Sequence, residues 1–233
     1  MASRSELLDF ADAVMKTLEH PDVLTESNRP YFRDAFCNIV RFLCEHPDDS
    51  PRINKLNIAN CSASSYIPSL AKRFLDGRRT IELVQTKTVP DVMVGFILKE
   101  TQSLTDIETE TWVDIHSKAM AAENLVGGLL ERYLSKILEP RRWIWCSGSV
   151  VKACDFLLPP DVGMYSGEWR LLQIKNRDNS ENSSSMAIRK GTSIEKWFRS
   201  FSKKTDTNWD QFPDENVKGL VSEEGFRAFV REY

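Results

Sequence analysis

Three polar residues on two strand-like segments could carry out chemistry in this sequence. Asp155 lies in an apolar segment with a two-residue period that predicts a strand over residues 149–158. Gln173 and Lys175 lie two positions apart on a second such segment, so their side chains share one strand face. The 17 residues between Asp155 and Gln173 include prolines and glycines typical of a turn. The two strands are therefore predicted to form a hairpin that brings the three side chains together.

These residue types suit the hydrolysis of a phosphodiester with the help of a magnesium ion. Carboxylate and amide oxygens are hard ligands of Mg²⁺, and a nearby lysine can orient the attacking water and stabilise charge on the phosphate. The pattern assigns Asp155 to the metal, Gln173 to a second oxygen ligand, and Lys175 to the water. The spacing also arises by chance in α/β proteins, and an ion pair between Asp155 and Lys175 across two strands is the structural alternative.

A further carboxylate precedes the hairpin on a long predicted helix, about residues 113–138. Glu123 falls on the apolar stripe of this helix, between Met120 and Val126. A carboxylate that faces a core must be paired, hydrogen-bonded or bound to a metal. Glu123 is therefore either a satisfied structural residue or a third acidic group of the same site.

The segment that follows Lys175 is rich in groups that bind DNA. The whole chain carries 31 basic and 34 acidic side chains, but residues 175–204 carry eight basic and three acidic ones. Such a local excess favours contacts to DNA phosphates, and arginine, asparagine and acidic side chains can read base edges. A solvated serine-rich loop is the alternative. The predicted DNA-binding residues are Asn176, Arg177, Asp178, Asn179, Glu181, Asn182, Ser184, Arg189 and Lys190.

The elements around these residues predict an α/β fold. Apolar periodicity predicts helices over residues 5–18 and 31–46, and a third helix that begins between Ser62 and Ser65 and reaches residue 76. We expect a central mixed β-sheet flanked by helices, with a helical N-terminal part. The expected division is a mostly helical region over residues 1–100 packed on a core over residues 101–233, together forming one compact domain.

Several other classes of protein are disfavoured. The five cysteines show no CxxC spacing, which argues against a structural zinc site or a disulfide framework and favours reduced thiols. The three histidines lie far apart, and neither a glycine-rich phosphate loop nor a G-x-S-x-G motif occurs. No apolar run is long enough for a membrane helix or a signal peptide. We expect a soluble cytoplasmic protein with no membrane partner.

The hairpin and two longer segments resemble a known family. The segments QIKNRDNSENSSSMAIRKGTSIEKWFR and HSKAMAAENLVGGLLERYL, within a region of about 112–212, are similar to the SinI type of restriction endonuclease, within the PD-(D/E)-x-K nuclease superfamily. Gln173 stands where that superfamily usually has an acidic residue, and Cys154 where it usually has proline. The resemblance implies that the amide oxygen of Gln173 or the backbone carbonyl of Ile174 can still face the metal. In this fold a glutamate on the helix before the hairpin often completes the site, a role that Glu123 could take.

The resemblance implies both a fold and an activity. It implies a restriction-endonuclease-like fold and a type II enzyme that cuts both strands of a short palindrome in double-stranded DNA, GGWCC in this family. It further implies Mg²⁺ as cofactor, a homodimer, and a cognate DNA methyltransferase as a functional rather than a physical partner.

Three other functions remain open from the residues alone. A structure-selective or repair nuclease on the same fold would give no fragments of defined sequence. A non-catalytic DNA-binding protein, in which Gln173 marks a lost active site, would bind tightly without magnesium-dependent cleavage. An unrelated α/β interaction domain would ignore DNA.

Overall fold

The computed structural model describes residues 2–82, 91–162, 167–179 and 193–233. These ranges contain seven α-helices and four β-strands. The helices are α1 (Arg4–Thr17), α2 (Arg29–Glu45), α3 (Ala63–Asp76), α4 (Val92–Gln102), α5 (Asp106–Leu138), α6 (Glu215–Lys218) and α7 (Glu223–Glu232). The strands are β1 (Ile144–Trp145), β2 (Phe156–Leu158), β3 (Arg170–Arg177) and β4 (Ile194–Ser200).

The three predicted N-terminal helices are confirmed as α1, α2 and α3. A capping box formed by Ser3 and Glu6 begins α1, and Ser62 is the N-cap of α3. Their apolar faces pack together in one core cluster that includes Met15, Phe36 and Phe74, each fully buried. The N-terminal part is therefore helical, as the apolar periodicity indicates.

The four strands form one mixed sheet in the order β1-β2-β3-β4. Strands β1, β2 and β3 are antiparallel neighbours, and β4 runs parallel to β3. Their register aligns Ile144, Leu157, Leu171 and Ile194 in one row, and all four belong to the core cluster of the N-terminal helices. One face of the sheet thus rests on α1–α3. The α/β class, with a central mixed sheet flanked by helices, is confirmed.

The first strand of the predicted hairpin is shorter than expected. Instead of residues 149–158, the strand covers Phe156–Leu158, and Ser147–Ser149 is a 3-10 turn. Ser149 and Ala153 adopt positive φ values of 52° and 53°, a left-handed conformation that cannot continue a strand. The chain therefore turns sharply just before Asp155, a feature that a two-residue hydrophobic period does not reveal.

Helix α5 begins seven residues before the predicted start. Thr105 and Glu108 form a reciprocal pair of hydrogen bonds at its N-terminus, the Thr105 N–H donating to the Glu108 carboxylate at 2.8 Å and the Glu108 N–H donating to Thr105 Oγ1 at 3.3 Å. This capping box satisfies main-chain donors that would otherwise have no partner. It explains why a polar, threonine-rich stretch is helical.

The chain divides into two compact units. Unit 1 consists of the chain up to Arg79 together with Glu131–Tyr233, and unit 2 is Thr80–Leu130. The expected boundary at residue 100 falls inside α4, within unit 2. Among the described residues, no helix is long and apolar enough to cross a membrane.

A buried ion pair in unit 1 provides a test of how this scaffold is held together. Arg78 Nη2 lies 2.7 Å from Glu139 Oε1, with both side chains largely enclosed, and Arg78 also donates to the carbonyl of Trp145 at 3.0 Å. Removing one partner of such a pair leaves a buried charge without compensation. We expect Arg78→Ala to lower the free energy of unfolding by about 3 to 5 kcal/mol in urea denaturation.

The neighbouring arginine is a matched control. Arg79 pairs with Asp22 at 2.8 Å, but both side chains are more than half exposed. Because exposed ion pairs contribute little, Arg79→Ala should cost less than about 1 kcal/mol. Equal losses for Arg78→Ala and Arg79→Ala would show that burial of the first pair is unimportant.

Candidate active site

Asp155 lies immediately before β2, where the backbone is irregular. Its carbonyl accepts a hydrogen bond from the N–H of Cys146 at 2.8 Å, and its own N–H donates to the carbonyl of Leu172 at 2.9 Å. Leu172 is already the register partner of Phe156, so two consecutive residues of one strand oppose a single residue of the next. This is the arrangement of a β-bulge, which redirects side chains and is common beside active sites.

The redirected Asp155 side chain reaches the backbone of the return strand. Its Oδ2 atom accepts a hydrogen bond from the N–H of Ile174 at 2.6 Å. Ile174 lies between Gln173 and Lys175, so this bond joins the two parts of the proposed motif. Gln173 is buried in β3, and Lys175, two residues further along, is partly exposed.

A second carboxylate faces this group from α5. Glu131 Oε2 accepts a hydrogen bond from Trp145 Nε1 at 3.1 Å. Burial raises the pKa of Glu131, while the Trp145 hydrogen bond and the charges of Arg132 and Lys175 act to lower it. Glu131 is therefore oriented by a specific donor and lies within electrostatic reach of Lys175.

The electrostatics couple Asp155, Glu131 and Lys175 into one centre. Burial, followed by the negative charge of Glu131, raises the pKa of Asp155 to about 8, against the Ile174 N–H and the Lys175 ammonium, which act to lower it. A carboxylate whose pKa is raised by the charge of a second carboxylate favours binding of a proton or a cation between the two. Strongly shifted groups of this kind are typical of functional sites.

The sequence-based reasoning missed Glu131. Among the described residues, Glu131 follows the buried Leu130 and precedes the buried Tyr133 and Leu134, at the part of α5 that leads into β1. Two features of the sequence could have pointed to Glu131. It is a glutamate within the buried part of the helix, and Trp145, whose indole can donate a hydrogen bond, follows soon after it in sequence. Hydrophobic periodicity points to Glu123, because Glu123 sits on a regular apolar stripe, and it gives no signal for Glu131.

The expected inward position of Glu123 is wrong. Glu123 lies in unit 2 and is exposed, as are Ala119 and Met120 of the same predicted stripe. The sequence does contain the apolar stripe, but its residues in the N-terminal part of α5 are exposed to solvent. Among Ala119, Met120, Val126, Leu130, Tyr133 and Leu134, the buried members are Leu130, Tyr133 and Leu134.

The first predicted DNA-binding residues already make contacts within the protein. Asn176 Oδ1 accepts a hydrogen bond from Arg199 Nε at 3.0 Å, and Arg199 Nη1 also contacts both carboxylate oxygens of Glu223, at 2.9 and 2.8 Å. Asp178 Oδ1 accepts from the N–H of Ser202 at 2.7 Å. These contacts fix the end of β3 against β4 and the segment that follows it.

Arg177 and Asn179 are more accessible. Both are exposed, and Arg177 Nη2 lies 3.3 Å from the carbonyl of Phe201. The remaining predicted DNA-binding residues lie outside the described residues. They are Glu181, Asn182, Ser184, Arg189 and Lys190.

Comparison with known proteins decides the family. A family model described as SinI restriction endonuclease matches residues 17–233. The chain belongs to the SinI restriction endonuclease family. It is 43% identical over 206 residues to the type II restriction enzyme Eco47I of Escherichia coli, and 41% identical over 206 residues to the type II restriction enzyme SinI of Salmonella infantis. Each match covers 88% of this chain and 88% of the relative.

This membership confirms the resemblance inferred from the hairpin and its flanking segments. As a SinI-family protein, the chain is a type II site-specific deoxyribonuclease, and its substrate is double-stranded DNA. The family also implies a divalent metal ion in the reaction.

The residues of the centre fit such an ion. Asp155 and Glu131 supply hard carboxylate oxygens, and their mutual repulsion is what a divalent cation would relieve. The described residues contain no group of three or more His, Cys, Asp or Glu side chains placed to hold a metal. Further ligands would therefore be amide, main-chain or water oxygens, which Mg²⁺ accepts readily.

The raised pKa of Asp155 should make the stability of the metal-free protein depend on pH. In the unfolded chain Asp155 titrates near 3.8, and in the folded protein near 8. Between these values the folded state holds a proton that the unfolded state lacks, so this group's contribution to stability falls as pH rises from about 4 to about 8 and then levels off.

The Asp155→Asn variant isolates this contribution, because an amide does not titrate. As the pH rises from 5 to 8, the wild type should lose stability that the variant keeps. We expect the free energy of unfolding of the variant, relative to that of the wild type, to increase by roughly 2 to 4 kcal/mol over this range. Urea denaturation in the presence of a chelator measures it. Identical pH dependence in the two proteins would contradict the raised pKa.

Proposed function

We propose that this protein is a magnesium-dependent type II restriction endonuclease that acts as a homodimer and cuts both strands of duplex DNA at GGWCC. The observation that carries the proposal is the coupled group of Asp155, Glu131 and Lys175, joined to β3 by the Asp155–Ile174 hydrogen bond. The specificity for GGWCC rests on the family resemblance of the sequence. A DNA methyltransferase that modifies the same site would be its functional partner.

In this proposal, Asp155 and Glu131 hold the Mg²⁺ ion. The bound ion would polarise a phosphate oxygen and increase the acidity of a water molecule. Asp155 is kept in place by the Ile174 N–H, and Glu131 by the indole N–H of Trp145. Hydrogen bonds that orient metal-binding side chains commonly matter almost as much as the ligands themselves.

Glu131 could also compensate for the missing acidic side chain at the position of Gln173. In the PD-(D/E)-x-K superfamily a second acidic residue usually occupies that position, and a glutamine removes one negative charge from the site. Glu131 supplies a carboxylate near Asp155, as the pKa of Asp155 indicates. We therefore assign to Glu131 the role that the sequence suggested for Glu123. The Gln173–Ile174 segment would contribute a neutral oxygen ligand.

Lys175 would act on the phosphate and on the attacking water. As an ammonium group beside two carboxylates, it can donate a hydrogen bond to the water and stabilise the negative charge that develops on the phosphate. Its partial exposure allows DNA to approach it from solvent. Water would attack the phosphorus directly, and the bond from phosphorus to one bridging ester oxygen would break, so that this oxygen leaves as a hydroxyl group once protonated. No covalent enzyme intermediate is needed.

For DNA recognition, we assign different roles within the predicted segment. Asn176 and Asp178 would brace the segment through Arg199 and Ser202, rather than read bases. Arg177 and Asn179, which are exposed, together with Glu181, Asn182, Ser184, Arg189 and Lys190, remain the candidates for contacts to bases and phosphates. Arginine and asparagine are the usual readers of guanine and adenine in the major groove.

Digestion of a plasmid of known sequence tests this function. With Mg²⁺, the wild-type protein should give discrete fragments whose ends all map to GGWCC sites, and a chelator should abolish cleavage. The variants Asp155→Asn, Glu131→Gln and Lys175→Met should each lose about 100-fold or more in cleavage rate, because each removes a group that acts on the metal or on the phosphate.

Glu123→Gln is the matched control for Glu131→Gln, since both replace a glutamate of α5 with its amide. It should cleave at the wild-type rate. Normal cleavage by Asp155→Asn and Glu131→Gln would refute the site, and fragments with ends of unrelated sequence would refute the specificity.

A further inference from the structure

Unit 2 is a helical hairpin with very little core of its own. Helices α4 and α5 are joined by a short turn in which Ser103 adopts a left-handed conformation. The helices approach each other at Gly95, where an added methyl group would lie 3.6 Å from Thr109 Cγ2 and 3.7 Å from Val113 Cγ2. Lys99 forms an ion pair with Asp106 across the turn.

The outer surface of this hairpin is unusually apolar. Helix α4 has the sequence VMVGFILKETQ, and none of its residues is buried. A helix that is apolar on most sides is normally enclosed by other protein. The large hydrophobic side chains exposed on the hairpin are Val92, Met93, Val94, Phe96, Ile97, Ile107, Trp112, Ile115 and Met120. We call this set the hairpin surface. Patches of this kind mark interaction sites.

The charge around the hairpin surface argues against DNA as its ligand. Among residues 91–130, the acidic side chains are Asp91, Glu100, Asp106, Glu108, Glu110, Asp114 and Glu123, and the basic ones are Lys99 and Lys118. Both lysines pair with an aspartate of the same hairpin. A surface with this excess of negative charge repels phosphates, whether of DNA or of anionic lipids. Its partner is therefore a protein surface.

We propose that the hairpin surface is the dimer interface, and that its partner is the same hairpin of a second copy of this chain. This inference rests on the proposed function, because one chain holds one cutting centre whereas cleavage of both strands of a palindrome calls for two centres related by a twofold axis. Two such hairpins, packed face to face, form an intermolecular four-helix arrangement that encloses the apolar side chains of both copies.

The size of the surface suits a stable dimer. A standard interface takes about 800 Å² and about 20 to 30 residues from each partner. Helix α4 contributes 11 residues, and the first half of α5, over residues 106–120, extends the surface along a second helix. Phe96 and Trp112 belong to the hairpin surface, and aromatic side chains are enriched in the cores of interfaces. The acidic side chains of the two copies would repel each other if they were enclosed, so they would have to stay at the solvated rim of the interface, where water and salt screen their charges.

Sedimentation analysis of the full chain with single substitutions tests this interface. Phe96→Glu and Ile115→Glu place a charge on α4 and α5 respectively, and each should weaken dimerisation by about 100-fold or more, since a charge without a partner is costly in an interface. Val230→Glu is the control, because Val230 is also on a helix and similarly exposed but lies in unit 1. The expected masses are 26.7 kDa for the first two variants and twice that for the wild type and the control.

Circular dichroism of each variant shows whether that variant is folded. If Phe96→Glu does not fold, the mass of Ile115→Glu alone tests the interface. A wild-type protein that stays monomeric at all concentrations overturns the proposal, as do dimers of wild-type affinity in both variants. A lower melting temperature without a change in mass also overturns it, since it would show that the same chain covers the surface.

Plasmid cleavage separates this inference from the proposed function. If the wild type dimerises through the hairpin surface but cuts no DNA, the proposed function fails and the interface stands. If the wild type cuts both strands at GGWCC while both variants remain dimeric, the function stands and the interface is wrong.

Discussion

Two carboxylates that repel each other lie at the centre of this structure. Asp155 and Glu131 come from different elements, yet the charge of Glu131 contributes to a pKa of about 8 for Asp155. Folding must hold this pair together against both desolvation and like-charge repulsion. The offsetting interactions are few and specific: the Ile174 N–H on Asp155, the Trp145 indole on Glu131, and the ammonium of Lys175 shared by both. Such an unfavourable arrangement is useful where a cation is to be bound.

The rest of unit 1 can be understood as support for that pair. The bulge at Asp155 and Phe156 directs the first carboxylate toward β3, and the N-terminal helices hold the sheet from one face through the row that contains Leu157 and Leu171. Helix α5 carries Glu131 into contact with Trp145. Arg78 adds a buried bond to the Trp145 carbonyl, so the same tryptophan connects the N-terminal helices to the acidic pair. The proposed cutting centre would depend on three separate elements keeping their register.

Part of this arrangement could be predicted from the sequence. Helical periodicity predicts α1, α2 and α3, because the apolar residues of each helix lie on one face, and these faces pack together. The pairing of the Asp155 segment with the Gln173–Lys175 segment was also accessible, since both are apolar and a turn separates them. The sharp turn before Asp155 was not, because it depends on positive φ values at Ser149 and Ala153, residues without a strong preference for that conformation.

The choice between Glu123 and Glu131 could not be made from periodicity. Both residues lie on α5, and the apolar stripe near Glu123 is as regular as the one near Leu130 and Leu134. What differs is the environment: the N-terminal part of the helix exposes Met120 to solvent, whereas Leu130 and Leu134 are buried. A stripe that contacts a partner and a stripe that contacts the core have the same pattern in sequence.

The pKa of Asp155, measured by carbon NMR with labelled aspartate, tests the central claim most directly. Its signal can be assigned from the spectrum of Asp155→Asn. In the metal-free wild type we expect a pKa of about 8, a clearly lower value in Glu131→Gln, and an unchanged value in Glu123→Gln. A wild-type pKa near the ordinary 3.8, or no change in Glu131→Gln, would contradict the coupling of the two carboxylates on which the proposed cutting centre rests.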